Sequence, residues 1–217
     1  HINLLSLAWL LPLYRLGGMM AVLRALLTRP DQAMERWDGL TAGGKRQMVG
    51  IGALDAHALM KIGKKKYPIP SYADSFRAVM THLLLPPKNA MQDSPGNRRE
   101  AVYSALRSGR CYFSYDCLGD PKGFMFTSRN KTEEFTVLMG GKTGVGTKLA
   151  AKSPGSRRLI RLLEGGKVVS GSIGQSLEYT VTHPGAYRIE VYQYTFRLGP
   201  FFFGARPWIF SNPIYVS

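Results

Sequence analysis

The sequence has few acidic residues, few histidines and only two cysteines. Its 217 residues include 14 Asp and Glu against 29 Lys and Arg, with four His, which gives a formal net charge of +15. A surface with this balance attracts anions such as a phosphorylated substrate, anionic lipid or nucleic acid. No recognition helix, zinc finger or RNP-type pattern accompanies the charge, so the composition does not favour a dedicated nucleic-acid-binding protein.

The scarcity of cysteine argues against a disulfide framework. Cys111 and Cys117 lie six residues apart in one strand-like run, and an extended chain would separate them by about 20 Å, too far for a bond between them. We therefore expect two free, buried thiols, as in a reducing cytoplasm.

The sequence also lacks a long uninterrupted apolar run. The amino-terminal stretch is apolar, but Pro12, Arg15 and the pair Gly17-Gly18 divide it into two segments, each shorter than the ~20 residues a membrane span needs. It also lacks the flanking pattern of a signal peptide. We expect two buried helices of a cytoplasmic domain, with peripheral membrane contact as the less favoured alternative. The opening at His1, with no Met, suggests the later part of a longer polypeptide.

The two halves of the chain have different patterns. Apolar positions at helical spacing predict a helix over residues 32–40, and the apolar run 48–54 predicts a buried strand of a parallel sheet. After Gly109 the pattern changes to short runs with a period of two, and Glu164-Gly-Gly-Lys167 predicts a hairpin turn. These runs are CYFSYD (111–116), GFMFTS (123–128), EFTVLMG (134–140), TKLAAKS (147–153), RRLIRLLEGGKVVSG (157–171), LEYTVT (177–182), AYRIEVYQYTF (186–196) and WIFSNPIYV (208–216). The sequence therefore predicts an α/β part over residues 1–107 and a small antiparallel β-sandwich over residues 108–217.

The segment MVGIGALDAHA (48–58) ends in two side chains of the metal-ligand type. Residues two apart on an extended chain point to the same side, so Asp55 and His57 would form a two-ligand arm at the end of the predicted strand. An oxygen and a nitrogen ligand suit zinc, manganese or iron. The alternative is structural: Asp55 caps the next helix and His57 is a buried, hydrogen-bonded histidine.

A wider set of segments resembles the carboxyl-terminal half of bacterial proteins of the PHP superfamily, named for a polymerase and a histidinol phosphatase. The resemblance covers most of residues 28–217, and its most specific pieces are the Asp-Ala-His arm and WIFSNPIYV. The other matching segments are Pro30-Asp31 through Trp37-Asp38, YADSFRAVMTHLLL (72–85), AVYSALRSGRCYFSYD (101–116), GFMFTS and GAYRIEVY (185–192). The resemblance implies a metal-dependent phosphoesterase with a distorted β/α barrel followed by a β-sandwich. In such a protein, Asp55 and His57 would occupy the last metal-ligand motif.

The resemblance also shows what this chain lacks. The family's early His-x-His motif and its intermediate ligands would lie upstream, and neither His82 nor His183 matches a ligand position. We therefore expect divalent Zn, Mn or Fe ions in the complete protein, with this chain carrying part of their site and inactive alone; whether this chain binds metal by itself is left open by the sequence. Its expected partners are an amino-terminal part of the same polypeptide and an anionic, phosphorylated substrate. The competing interpretation is a non-catalytic β-sandwich module that binds a polyanion, a glycan or a protein.

Three weaker patterns complete the sequence. The run Gly140-Gly-Lys-Thr143 lacks the spacing of a phosphate-binding loop and predicts a hairpin loop. The aromatic run 201–203, with Trp208 and Phe210, is typical of core and turn packing, although a binding surface is the alternative. Arg77, Arg107 and Arg110 are candidate phosphate contacts, although a solvated arginine is the simpler interpretation.

Overall fold

The structure is a computed structural model that describes residues 4–44, 46–54, 56, 60–62, 65–67, 70–86, 95–129 and 136–217. Over these residues the protein is mixed α/β, with most of its regular structure in strands. The helices are α1 (Leu4–Leu26), α2 (Asp31–Thr41), α3 (Tyr72–Ala78) and α4 (Pro95–Ser108), with short 3-10 turns at Ala42–Gly44 and Asp116–Leu118.

The strands form several sheets, and the described residues do not close a barrel. The strands are β1 (Met60–Ile62), β2 (Lys65–Tyr67), β3 (Met80–Leu83), β4 (Cys111–Ser114), β5 (Met125–Arg129), β6 (Thr136–Leu138), β7 (Lys142–Thr143), β8 (Lys148–Lys152), β9 (Arg158–Glu164), β10 (Lys167–Ile173), β11 (Ser176–Thr180), β12 (Gly185–Gln193), β13 (Phe196–Leu198), β14 (Phe201–Phe203), β15 (Arg206–Ser211) and β16 (Ile214–Val216).

An eight-stranded sheet forms the centre of the molecule. Its main path is β10-β9-β12-β15-β4-β3, and β16 pairs with both β12 and β7. All of its described pairings are antiparallel except that between β16 and β7. A four-stranded sheet, in the order β11-β8-β5-β6, lies over one face, and β1-β2 and β13-β14 are separate two-stranded ribbons.

The central sheet is buried on both faces, by two different apolar clusters. One cluster combines Phe126 and Leu149 of the four-stranded sheet with Ile189 and Val191 of β12. The other packs Trp37 of α2 and Leu23 of α1 on the opposite face. Strand β12 is buried at Gly185 through Val191, because Tyr187, Ile189 and Val191 point into the first cluster and Arg188 and Glu190 point to the opposite face, where α2 covers them.

The period-two pattern predicted the strands of the second half well. Each of the eight runs contains at least one strand, and the hairpin at residues 164–167 is confirmed by the pairing of Glu164 with Lys167. Gly165 and Gly166 have φ angles of 54° and 82°. A two-residue turn of this kind requires positive φ at both positions, which glycine adopts without strain.

The first half differs more from its prediction. The helix over 32–40 is confirmed as α2, and α1 is interrupted at Gly18, where φ is 65°. The prediction of a buried strand of a parallel sheet over 48–54 is wrong: this segment is extended but is not a strand of any sheet, and Ile51 is 62% exposed. The expected burial of the first helices is also wrong for residues 12–18, which are mostly exposed.

The predicted domain boundary at residue 107 is spanned by direct contacts. Strand β3 pairs with β4 along its whole length. The first and second parts of the chain therefore share the central sheet.

Candidate functional site

The two predicted metal ligands, Asp55 and His57, lie outside the described residues. Their described neighbours Leu54 and Ala56 are partly buried. What the structure does describe is the stretch of chain that leads to them, residues 48–54, which we call the extended segment.

The extended segment is held along one edge by three side chains instead of a neighbouring strand. The Tyr215 hydroxyl accepts a hydrogen bond from the Met48 N–H at 2.9 Å, and Asn212 Oδ1 accepts one from the Gly50 N–H at 2.7 Å. Thr81 Oγ1 accepts one from the Gly52 N–H at 3.0 Å.

The same three side chains also donate back to the segment. The Tyr215 hydroxyl donates to the Met48 carbonyl at 3.3 Å, Asn212 Nδ2 to the Gly50 carbonyl at 2.9 Å and Thr81 Oγ1 to the Gly52 carbonyl at 3.0 Å. Every second residue therefore has both backbone groups paired, as along one edge of an antiparallel strand.

The two glycines let this segment lie directly on aromatic rings. A Cβ at Gly50 would lie 2.6 Å from the Trp37 ring, and a Cβ at Gly52 would lie 2.6 Å from the Phe113 Cβ. The Trp37 indole N–H also donates to the Met48 carbonyl at 3.0 Å. Gly50 and Gly52 therefore allow the extended segment to pack closely against Trp37 and Phe113.

The other edge of the extended segment has no partner among the described residues. The backbone groups of Val49, Ile51 and Ala53 alternate with those that are paired, and they form no hydrogen bond to another described residue. An open apolar groove of about 690 Å³ runs between this segment and α2. Its lining includes Leu26, Met34, Leu40, Leu54, Val79 and Tyr115.

A buried ion-pair network lies on the same face of the central sheet. Arg188 Nε and Nη2 donate to the two carboxylate oxygens of Asp38, both at 2.6 Å, and Arg188 Nη1 donates to Glu190 at 2.6 Å. Arg29 Nη2 reaches the same Glu190 oxygen at 2.8 Å, and the Tyr192 hydroxyl donates to the other at 2.9 Å. These contacts fix α2 and the α1-α2 connection to strand β12.

The network keeps Glu190 ionised although it is buried. Burial alone would raise its pKa, but the hydrogen bonds and positive charges of Arg29 and Arg188 outweigh that effect and lower the pKa below its ordinary value. Arg188 has a raised pKa because its carboxylate partners outweigh its own burial. Arg188 and Glu190 are each 1% exposed, so these two charges are accessible neither to solvent nor to a substrate.

The other candidate residues are scattered. His82 Nε2 lies 3.0 Å from Asp116 Oδ1 and its ring stacks on Tyr112, whereas His183 is exposed beside Thr182. Within the described part of the chain, no group of three or more His, Cys, Asp or Glu side chains is placed to hold a metal ion.

The three candidate arginines do not converge on the extended segment. Arg110 contacts the hydroxyls of Ser104 and Ser108 at 2.8 and 3.1 Å, and Arg107 is 3.5 Å from Glu100. Arg77 is exposed on α3.

The two remaining sequence patterns have structural roles. The run 140–143 is a turn followed by strand β7, in which Gly140 N–H donates to the Pro213 carbonyl at 2.7 Å. Trp208 and Phe210 are core residues, as predicted, whereas Phe201 is 66% exposed.

Three comparisons with known proteins found nothing similar to this chain: no protein-family model, no curated protein and no solved structure matches it. In the described ranges, no helix combines the length and the apolar character needed to cross a membrane.

Neither the residues that hold the extended segment nor those of the ion-pair network were predicted from the sequence. A signal for the network is present in AYRIEVYQY, where Arg188 and Glu190 occupy alternate positions of an otherwise apolar strand. Two charges on one face of a buried strand predict a buried ion pair. The role of Asn212 had no local signal, because its partner Gly50 lies 162 residues away.

Proposed function

We propose that this chain is the carboxyl-terminal portion of a metal-dependent phosphoesterase of the PHP type, with Asp55 and His57 as two of its metal ligands. The carboxylate and imidazole are chemically suited to Zn, Mn or Fe. When bound, such an ion activates water as a nucleophile and neutralises phosphate charge. Two ligands do not complete the coordination of a catalytic metal, so the proposal includes a further, upstream part of the polypeptide and inactivity of this chain by itself.

The main support is the extended segment, which is hydrogen-bonded to other described residues along one edge only. It leads directly to Asp55, it is fixed along one edge by Tyr215, Asn212 and Thr81, and it lines an open apolar groove. An unpaired strand edge beside apolar surface is suited to pairing with another strand. In the proposed parent protein, strands of the upstream part would pair there and cover the exposed side chains of Val49 and Ile51.

Two further features agree with the proposal. The net charge of +15 would attract an anionic phosphoester. We also interpret the four-stranded sheet and the central strands that share its core as the β-sandwich that the resemblance implies for residues 108–217.

The experiment uses the intact polypeptide that contains these 217 residues. Bound metal is measured by mass spectrometry, and hydrolysis is measured with p-nitrophenyl phosphate and bis-p-nitrophenyl phosphate. We expect Asp55→Ala and His57→Ala each to lower bound metal and to reduce hydrolysis by about 100-fold, the upper end of what loss of a residue supporting a metal site costs.

Two variants of the same residue types serve as controls. His183→Ala and Asp120→Ala change exposed side chains away from the extended segment and should leave metal content and hydrolysis unchanged. Unchanged metal content and hydrolysis in both Asp55→Ala and His57→Ala would contradict the proposal and favour the non-catalytic binding module.

A further inference from the structure

The ribbon β13-β14 presents four large apolar side chains on one face, and we call it the aromatic hairpin (residues 196–203). Phe196 pairs with Phe203, and Leu198 pairs with Phe201. Cross-strand partners and residues two apart share a face of a ribbon, so all four side chains point to the same side. Their exposed fractions are 55%, 44%, 69% and 66% in the order Phe196, Phe203, Leu198 and Phe201.

The opposite face and the base of the hairpin are attached to the rest of the protein. The Phe202 ring packs edge-on against Tyr194, with centroids 5.1 Å apart. The Thr195 N–H donates to the Phe203 carbonyl at 2.9 Å, and Arg157 Nη1 donates to the Thr195 carbonyl at 3.0 Å. The apolar face is therefore held outward by a folded base. Contiguous exposed apolar surface of this kind marks an interaction site.

The charge around the hairpin indicates which kind of partner it fits. Residues 191–217 contain Arg197 and Arg206 but no Asp or Glu. Arg157 and Arg206 are exposed near the base of the ribbon, and Arg197, which pairs with Phe202, is exposed on the face opposite to the four apolar side chains. An apolar face with arginines at its base and on its reverse side, in a stretch of chain without acidic residues, complements a surface that is apolar inside and anionic outside.

We propose that the aromatic hairpin attaches this protein peripherally to a membrane that contains anionic lipid. The side chains of Phe196, Leu198, Phe201 and Phe203 enter the boundary between headgroups and acyl chains, and the arginines contact lipid phosphates. This inference goes beyond the proposed function, because the hairpin includes neither the extended segment nor the residues that line the groove.

The test measures co-sedimentation of the full chain with vesicles of phosphatidylcholine alone or mixed with phosphatidylglycerol. We expect binding to the mixed vesicles, weak binding to phosphatidylcholine, and a loss of binding at high salt. The double variant Leu198→Ser/Phe201→Ser should bind the mixed vesicles about 100-fold more weakly, because two inserted apolar side chains are lost. Arg197→Gln should bind about fivefold more weakly, as expected for one basic residue at an anionic surface.

A matched double variant separates insertion from a general loss of apolar surface. Val168→Ser/Ile173→Ser changes two side chains on β10 that are 54% and 48% exposed, and it should bind as the unchanged protein does. Equal binding by Leu198→Ser/Phe201→Ser would overturn the proposal, as would an absence of binding to the mixed vesicles. The proposal would also be overturned if the unchanged protein self-associated in sedimentation velocity without binding vesicles, and Leu198→Ser/Phe201→Ser abolished that self-association. The partner of the aromatic hairpin would then be a second copy of this chain.

Discussion

Individual residues decide how closely the extended segment approaches the core. Gly50 and Gly52 face Trp37 and Phe113 at distances that leave no room for a Cβ. Neither glycine has a positive φ, so the requirement is steric and does not come from backbone conformation. Asn212 adds specificity, because its amide satisfies both backbone groups of Gly50 and also donates to the Cys111 carbonyl at 2.8 Å.

Gly52→Ala should therefore lower the free energy of unfolding by about 1–3 kcal/mol, the usual cost of overpacking a rigid site. The new Cβ would meet the Phe113 Cβ at 2.6 Å and Val79 Cγ1 at 3.1 Å, and the first of these atoms cannot move without the backbone. Urea unfolding followed by circular dichroism measures the change. Gly39→Ala is the control, since its Cβ meets nothing within 4 Å and an alanine inside helix α2 should stabilise the protein by up to ~1 kcal/mol. Equal effects of the two substitutions would contradict the packing described.

The two cysteine thiols should be inert in the native protein. Both are free and buried, and burial raises the pKa of the Cys111 thiol to about 11, although the hydrogen bond from Asn212 opposes the rise. Burial also raises the pKa of Cys117. Because the thiolate is the reactive form, a disulfide reagent at pH 8 should titrate neither thiol over minutes, and both should react in guanidinium chloride. Fast reaction of one thiol before unfolding would show that its site is open.

At the scale of elements, the structure shows why the second half was predicted more accurately than the first. In the second half, strands bury alternate residues or end at turns that contain glycine, such as Gly165 and Gly166. Both features can be recognised in the local sequence. Helix α2 was also predictable, because its buried residues Met34, Trp37, Asp38 and Thr41 follow helical spacing.

The extended segment could not be predicted in the same way. Its composition resembles that of a buried strand, and its paired edge is indeed strand-like. Its partners, however, are the side chains of Thr81, Asn212 and Tyr215, which lie far along the chain and leave no periodic signal near residue 50. The candidate ligands Asp55 and His57 were found from residue type and spacing, and their assignment stays a prediction.

At the scale of the whole molecule, the ion-pair network joins the layers. The helical layer contributes Arg29 and Asp38, and strand β12 of the central sheet contributes Arg188 and Glu190. The opposite face of the same strand packs against the four-stranded sheet. Breaking a buried pair leaves an uncompensated charge and costs far more than breaking an exposed one. We therefore expect the network to fix the position of α2, and with it one wall of the groove.

The pH dependence of stability should report this network. The pKa of Glu190 is lowered in the folded protein, so the stabilisation is fully present above the ordinary pKa of about 4.3 and is lost as the pH falls through the lower folded value. Glu190→Gln should cost about 3 kcal/mol at pH 7, and its difference from the unchanged protein should shrink as the pH falls below about 4. Urea midpoints between neutral and acidic pH measure both effects.

Glu178→Gln is the matched control for that measurement. Its side chain is 65% exposed and lies 3.3 Å from Lys148, so its loss should change stability by no more than ~1 kcal/mol at any pH. The difference in the free energy of unfolding between Glu190→Gln and the unchanged protein could instead stay constant down to acidic pH. The charge of Glu190 would then contribute nothing to stability. The difference would then come from the shape and packing of the Glu190 side chain, because only an ionisable contribution disappears when the carboxylate is protonated.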